Sequence, residues 1–275
     1  MTAQAADPGP RLSIRRNPVR LLCSAAPWSS AGYLAGYLAV SWVLFGIAFT
    51  ATVTAAVFAI TLAGIPLLVA AAGVIRGCAN VERGRLRQVF AAPVRGRYRT
   101  VATPGIMAQV RVRWRDPATW RDIAYLLGLW LPLYALDLIV LTVWLTFLAG
   151  VTLPAWYWAP RGNAGVGYVN GTQVHGVALG YFPHGPHGHG AVGLYVDTLP
   201  KALLAAAAFL ILLLLFNYVL VATARAHARV ARALLRPPPD PLAVAREVLA
   251  GPRPLGPLEI HRGNGPPPAS HPTVT

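Results

Sequence analysis

Three histidines, His184, His187 and His189, lie within six residues in the stretch PHGPHGHG, and His175 sits nine residues before the first of them. Imidazole is a good ligand for Zn²⁺, Cu²⁺ and Ni²⁺, so three such side chains could close around one ion with His175 as a fourth ligand. Against this, glycine-rich backbone loses the most entropy on ordering, and a closed site wants a second shell to orient its ligands. The same imidazoles could instead titrate as a pH sensor, or the stretch could be a spacer. All three readings stand on the sequence alone. His175 ends the run YVNGTQVH, where Asn170-Gly171 suits a two-residue hairpin turn; that turn would put His175 on a strand edge facing the cluster.

Two polar residues fall inside apolar runs. Asp137 lies about 14 residues, roughly 21 Å of helix, past the start of its run at Ile123. An acid there is costly unless paired or protonated. No basic side chain is placed in any span, so Asp137 is expected to bond to hydroxyl or tyrosine groups, or to serve a proton path. Asn217 reads as a hydrogen-bonding contact between helices. There is no nucleophile with an adjacent base, no paired carboxylates, no phosphate loop and no Cys-x-x-Cys. The reading is not an enzyme, with no cofactor beyond a possible Zn, Cu or Ni ion at the loop.

The elements that must position these residues are membrane helices. The chain is 55% hydrophobic and 12% charged, against roughly 25% charged in soluble domains. From Leu21 to Ile75 no side chain is charged, long enough for two spans of about 20 residues each; the turn between them is expected near the threonines at 50, 52 and 54. A third span runs from Ile123 to Leu148, opened by DPATW with Asp116 as cap and Pro117 at the first helical position, and with Trp120 at headgroup depth. The fourth runs from Ala202 to Ala224 and continues as the basic helix RAHARVARALLR.

The basic residues give an orientation. Arginines cluster before residue 21, between 76 and 121, and after 225, whereas only Arg161 and Lys201 lie between the last two spans. By the positive-inside rule both termini and the middle loop are cytoplasmic, and the loop from about 156 to 196 is extracytoplasmic, with Trp156, Tyr157 and Trp158 at the interface. The net charge of +15 then marks topology and anionic-lipid contact rather than nucleic-acid binding. YLAGYLAVSW at Tyr33 and YLLGLWLPLY at Tyr125 start alike, and each leads to a second span and a basic helix. This suggests two hairpins entering from the same side as a parallel repeat. VRVRWR (110–115) fits a strand or a short interfacial helix; the helix, apolar side in the headgroups, is favoured.

The runs GIPLLVAAAGVIRGCANVERGRLR, DPATWRDIAYLLGLWLPL and VDTLPKALLAAAAFLILLLL, ending in ARVARALL, resemble the sensor domain family found at the N-terminus of many bacterial sensor histidine kinases. The resemblance implies a four-helix membrane module that passes a signal to a cytoplasmic output. In such kinases a phospho-accepting histidine and an ATP-binding domain follow. Here about 40 residues remain after the match, so kinase chemistry is not expected from this chain.

The expectation is an all-α membrane protein of four helices in two hairpins, with a small extracytoplasmic loop that has room for a β-hairpin. Its parts are a cytoplasmic arm (1–30), the sensor domain (31–235) and a proline-rich, largely disordered tail (236–275) with one helical pattern near 242–249. It would sit in a bacterial inner membrane with anionic lipids, pair as a homodimer, and relay a signal to a cytoplasmic kinase or regulator. The alternatives are a transporter subunit or a structural scaffold. Titration of Zn²⁺, Cu²⁺ and Ni²⁺ into the protein and a His184→Ala/His187→Ala/His189→Ala variant separates the loop readings. Micromolar binding lost in the variant marks an ion site; equal weak binding marks a spacer.

Overall fold

The computed structural model describes residues 16–61, 64–90, 93–94, 96, 98–99, 105–159, 166–169, 172–181 and 192–236. Four of its helices are long and apolar enough to cross a membrane: α2 (Ala25–Phe58), α3 (Gly64–Arg85, carried to Gln88 by a 3-10 turn), α6 (Trp130–Val151) and α7 (Leu199–Leu235). The protein is an all-α membrane protein built on two helical hairpins. The short helix α1 (Pro18–Leu22) precedes them, its Asn17 cap accepting from the amides of Val19 and Arg20.

The first turn falls later than the threonines suggest. Thr52 Oγ1 donates to the Ala48 carbonyl at 2.7 Å, a bond back along the same helix, so α2 continues to Phe58. The chain then reverses over 59–63, where the Thr61 amide and hydroxyl both donate to the Phe58 carbonyl, at 2.9 and 2.8 Å. A Cβ on Gly64 would collide with that carbonyl, which is why glycine opens α3.

VRVRWR folds mostly into helix α4 (Ile106–Trp114). It lies along α3: Arg113 Nη1 donates to the Val69 carbonyl at 3.1 Å and Trp114 Nε1 to that of Leu68 at 3.0 Å. Asp116 caps α5 (Pro117–Ile123), accepting from the Ala118 amide at 3.1 Å, with Pro117 in the first turn. The expected third span is not one helix from Ile123. A π-helical turn at Ala124–Gly128 interrupts it, with Leu129 bonded five residues back to Ala124.

Ring contacts fix the direction of α2 against α6. Trp28 meets Trp144 at 5.3 Å, while Trp42 meets Trp130 at 4.6 Å and Tyr134 at 5.7 Å, and Phe45 stacks on Trp130 at 4.1 Å. Advancing along α2 therefore means retreating along α6, and the two are antiparallel. This corrects the parallel repeat, in which the first helices of both hairpins would run the same way. The reason is the connection: after α3 ends at Arg85 the chain doubles back, so that Arg113 and Trp114 reach carbonyls near the start of α3. The 59–63 turn thus lies at the opposite end of the bundle from the loop after α6, although the distribution of basic residues groups the two on one side.

That loop holds two antiparallel hairpins. β1 (Val166–Val169) pairs with β2 (Thr172–His175), and β3 (Val177–Tyr181) with β4 (Val192–Val196). Val169 opposite Thr172 brackets Asn170 and Gly171, which lie outside the described residues, as do the 1–15 arm and everything after 236, including 242–249. The base of β3–β4 is seated by Val196, which clusters with Leu153, Ala202 and Ala205 between the end of α6 and the start of α7.

The α6–α7 hairpin closes on Gly150, where a Cβ would strike the Phe209 ring. Gly150→Val is expected to cost about 1–3 kcal/mol by overpacking and to lower the thermal unfolding midpoint in detergent. Gly32→Ala, with no atom within 4 Å of the added carbon, should leave it unchanged.

Candidate functional site

Asp137 has a basic partner, and it comes from α7. His227 Nδ1 lies 2.7 Å from Asp137 Oδ2, and both side chains are fully buried. The expectation that no span carries a base is corrected here. α7 is one helix through residue 235, and the basic stretch taken to lie beyond the bilayer is its last quarter, packed in the same core.

From His227 the bonding continues across the bundle. His227 Nε2 lies 3.4 Å from Tyr125 Oη on the π turn, and that hydroxyl donates to Glu82 Oε2 on α3 at 3.2 Å. Arg85 Nη1 reaches both Glu82 oxygens at 2.9 Å, and its Nη2 donates to the Tyr33 carbonyl of α2 at 2.8 Å. Tyr33 and Tyr37 set their rings edge-on to His227, at 5.5 and 4.4 Å, and both lie beneath Arg85. Tyr125 has one hydroxyl hydrogen, given to Glu82, so its oxygen is left to accept from His227 Nε2–H. Two carboxyl groups, Asp137 and Glu82, are thus each set against a base, His227 and Arg85. Charge balance matters here because an unpaired buried charge costs several kcal/mol.

A second cluster holds the end of α7. Arg83 Nη2 pairs with Asp122 Oδ1 at 2.6 Å, Nη1 donates to Tyr98 Oη at 2.6 Å, and Nε donates to the Leu235 carbonyl at 3.0 Å. Tyr98 in turn donates to Asp122 Oδ2 at 2.7 Å. Burial pushes the Asp122 carboxyl upward, opposed by Tyr98 and Arg83, and burial together with Asp122 pushes the Tyr98 phenol up to about 12. Arg121 Nη1 adds a bond to the Arg236 carbonyl at 3.3 Å.

Two turns earlier on α3, Arg76 binds Asp116 Oδ2 at 3.2 Å and Thr119 Oγ1 at 2.9 Å, and lies 4.2 Å over the Tyr98 ring. Asp197, just before α7, pairs with Lys201 at 2.7 Å, which holds its carboxyl below the usual range. Every acidic side chain among the described residues is thus matched to a base.

Of the other residues singled out in the sequence, Asn217 accepts from Trp144 Nε1 at 2.9 Å in the core between α6 and α7. His175 closes β2, its backbone opposite Val166. His184, His187 and His189 lie outside the described residues. Sequence reasoning missed Glu82, Arg83, Arg85, Tyr125 and His227. A signal existed for two of them. Ala224, His227, Ala228, Ala231 and Leu235 follow helical spacing and are all buried, and Arg76 and Arg83 stand seven residues apart on one face of α3.

Fold and site define a polytopic helical membrane protein whose helices are cross-braced through a buried polar core. The chain belongs to the family described as "Sensor: Putative sensor", which it matches over residues 33–235. The match begins at Tyr33 and ends at Leu235, so it takes in every residue of the two clusters. No curated protein and no solved structure matches the chain.

His227→Ala should destabilise the protein by about 3–5 kcal/mol by stranding Asp137. The double variant with Asp137→Ala should lose less than the sum of the single losses, as a thermal unfolding cycle would read. The Asp197–Lys201 pair is partly exposed and contributes under about 1 kcal/mol. Because its carboxyl titrates below its unfolded value, that contribution is present at neutral pH and lost as pH falls through the folded value. Asp197→Asn should therefore lower stability slightly at pH 7 and not at pH 2.

Proposed function

We propose that the chain is a signal-transduction module of a bacterial inner membrane, which converts a condition at the 156–196 loop or in the bilayer into a shift of α7 read by a cytoplasmic partner. The observation that carries this reading is the polar network itself. It ties α2, α3, α6 and α7 to one another, and the neighbouring cluster on α3 holds the last carbonyl of α7 through Arg83. A change in the packing of any one helix is felt at that end, which is how packed helices switch between discrete arrangements.

The family's description as a sensor supports a non-catalytic role; in our reading the output is of two-component type, with a cytoplasmic kinase or regulator as the partner. The arginine-rich end of α7 belongs on the cytoplasmic side. Exposed Ile106, Met107 and Trp120 beside Arg111 and Arg115 suit an anionic-lipid interface, and a homodimer would give two α7 ends to a dimeric partner. A histidine-bound ion in the outer loop is one form the stimulus could take.

A transporter subunit using Asp137 is the second reading. Its pairing with His227 favours a brace over a path. The test places spin labels on Val19→Cys and Ala233→Cys, with Cys23 and Cys78 replaced, in nanodiscs. Zn²⁺, a step from pH 7.5 to 5.5, or added anionic lipid should shift the distance distribution, and Asp137→Asn should abolish the shift. Proton flux into dye-loaded liposomes that disappears with Asp137→Asn would instead establish the transporter.

A further inference from the structure

Six buried polar side-chain atoms among the described residues have no protein partner, Tyr33 Oη and Asp137 Oδ1 of the network among them, and two of the six come together at one place: Ser41 Oγ on α2 and Trp130 Nε1 at the start of α6. Their side chains are only 3% and 9% exposed. Both residues line one small pocket, whose other walls include Glu82, Tyr125, Leu44 and Leu126, with about 10 Å³ open to a molecule of water's size. Buried polar groups in folded proteins are almost always bonded, to protein or to ordered water, and a polar cavity of about this volume holds one water.

The chemistry of the walls selects the occupant. Trp130 Nε1 only donates, so the occupant must accept; Glu82 only accepts when ionised, and Ser41 does either. Arg85 already matches the charge of Glu82 at both oxygens, so no cation is called for, and the carboxylate repels an anion. An alkyl group would leave the indole N–H unpaired and its desolvation uncompensated. A neutral molecule that both donates and accepts satisfies every wall, and the volume limits it to water.

We propose that this pocket is a water site, and that its water completes the polar network by joining Ser41 and Trp130 to the Tyr125–Glu82 pair. This rests on reading the network as the brace that holds the helices together. Among the described residues, α2 otherwise reaches the network through a backbone carbonyl and two rings. The water gives it a side-chain link, beside the π turn where the α5–α6 helix is interrupted.

The test is NMR on the full chain in nanodiscs with ¹⁵N-labelled tryptophan. The Trp130 indole proton, assigned with Trp130→Phe or from the one indole signal moved by Ser41 substitutions, should show a cross-peak to water with the sign ratio of a rigidly bound molecule. Ser41→Ala, which removes one partner and adds no bulk, should keep it. Ser41→Val, which fills the pocket, should abolish it. A visible Trp130 indole signal with no water cross-peak in the unmodified protein would overturn the proposal, as would a cross-peak that survives Ser41→Val. Neither outcome bears on the spin-label response to Asp137→Asn, so the water site and the signalling role fail separately.

Discussion

The contact between Asp137 and His227 constrains everything around it. A fully buried carboxylate is costly unless it lies beside a base in good geometry, and the base that meets Asp137 Oδ2 comes from a helix 90 residues away in sequence. Once α6 and α7 are held at this level, His227 turns its other nitrogen to Tyr125, which places the π turn against Glu82 and so fixes α3. Arg85 then reaches back to the Tyr33 carbonyl and closes the ring of helices. The apolar core of alanines and leucines along α7 supplies bulk burial but little preference for one register over another. The polar contacts supply that preference, because a slip of one residue leaves charges stranded.

α3 carries two arginine faces with different tasks. Arg76 and Arg83 face the returning segment and α5, where they meet Asp116, Asp122, Thr119 and Tyr98. Arg85, with Glu82, faces the core. The arrangement explains how a segment as arginine-rich as 76–121 is accommodated: three of its arginines are consumed by Glu82, Asp116 and the adjoining Asp122, and another, Arg113, by a helix carbonyl. It also explains why the chain doubles back after α3, since the acids that answer Arg76 and Arg83 arrive only at 116 and 122.

The spans, the cap at Asp116, the helix at 106–114 and a strand hairpin in the loop after α6 were legible because each rests on local pattern: apolar length, an Asp-Pro start, periodicity, an Asn-Gly pair. The polar core was not, because its links from one helix to another join residues 39 to 152 apart in sequence and nothing local says which arginine of one helix meets which acid of another. His227 was hidden by its neighbours. Four arginines in twelve residues read as a solvated or lipid-facing helix, yet alanines at 224, 228 and 231 line the side that is buried. The threonines misled for the opposite reason, since a hydroxyl that can satisfy a turn can equally bond back along its own helix. The direction of the second hairpin lay beyond any charge count, being set by how far the connection retreats along α3.

The way α7 finishes has a mechanical meaning. Leu235 is the last helical residue, its carbonyl held by Arg83, and Arg236 turns to extended backbone with φ −80° and ψ 140° while Arg121 grips its carbonyl. A helix that continued unbroken would act as a shaft, handing both twist and axial travel to whatever follows. Here the shaft stops at a swivel clamped from two sides. Any movement of α7 would leave the helix through two gripped carbonyls, those of Leu235 and Arg236, rather than through continuous helical backbone.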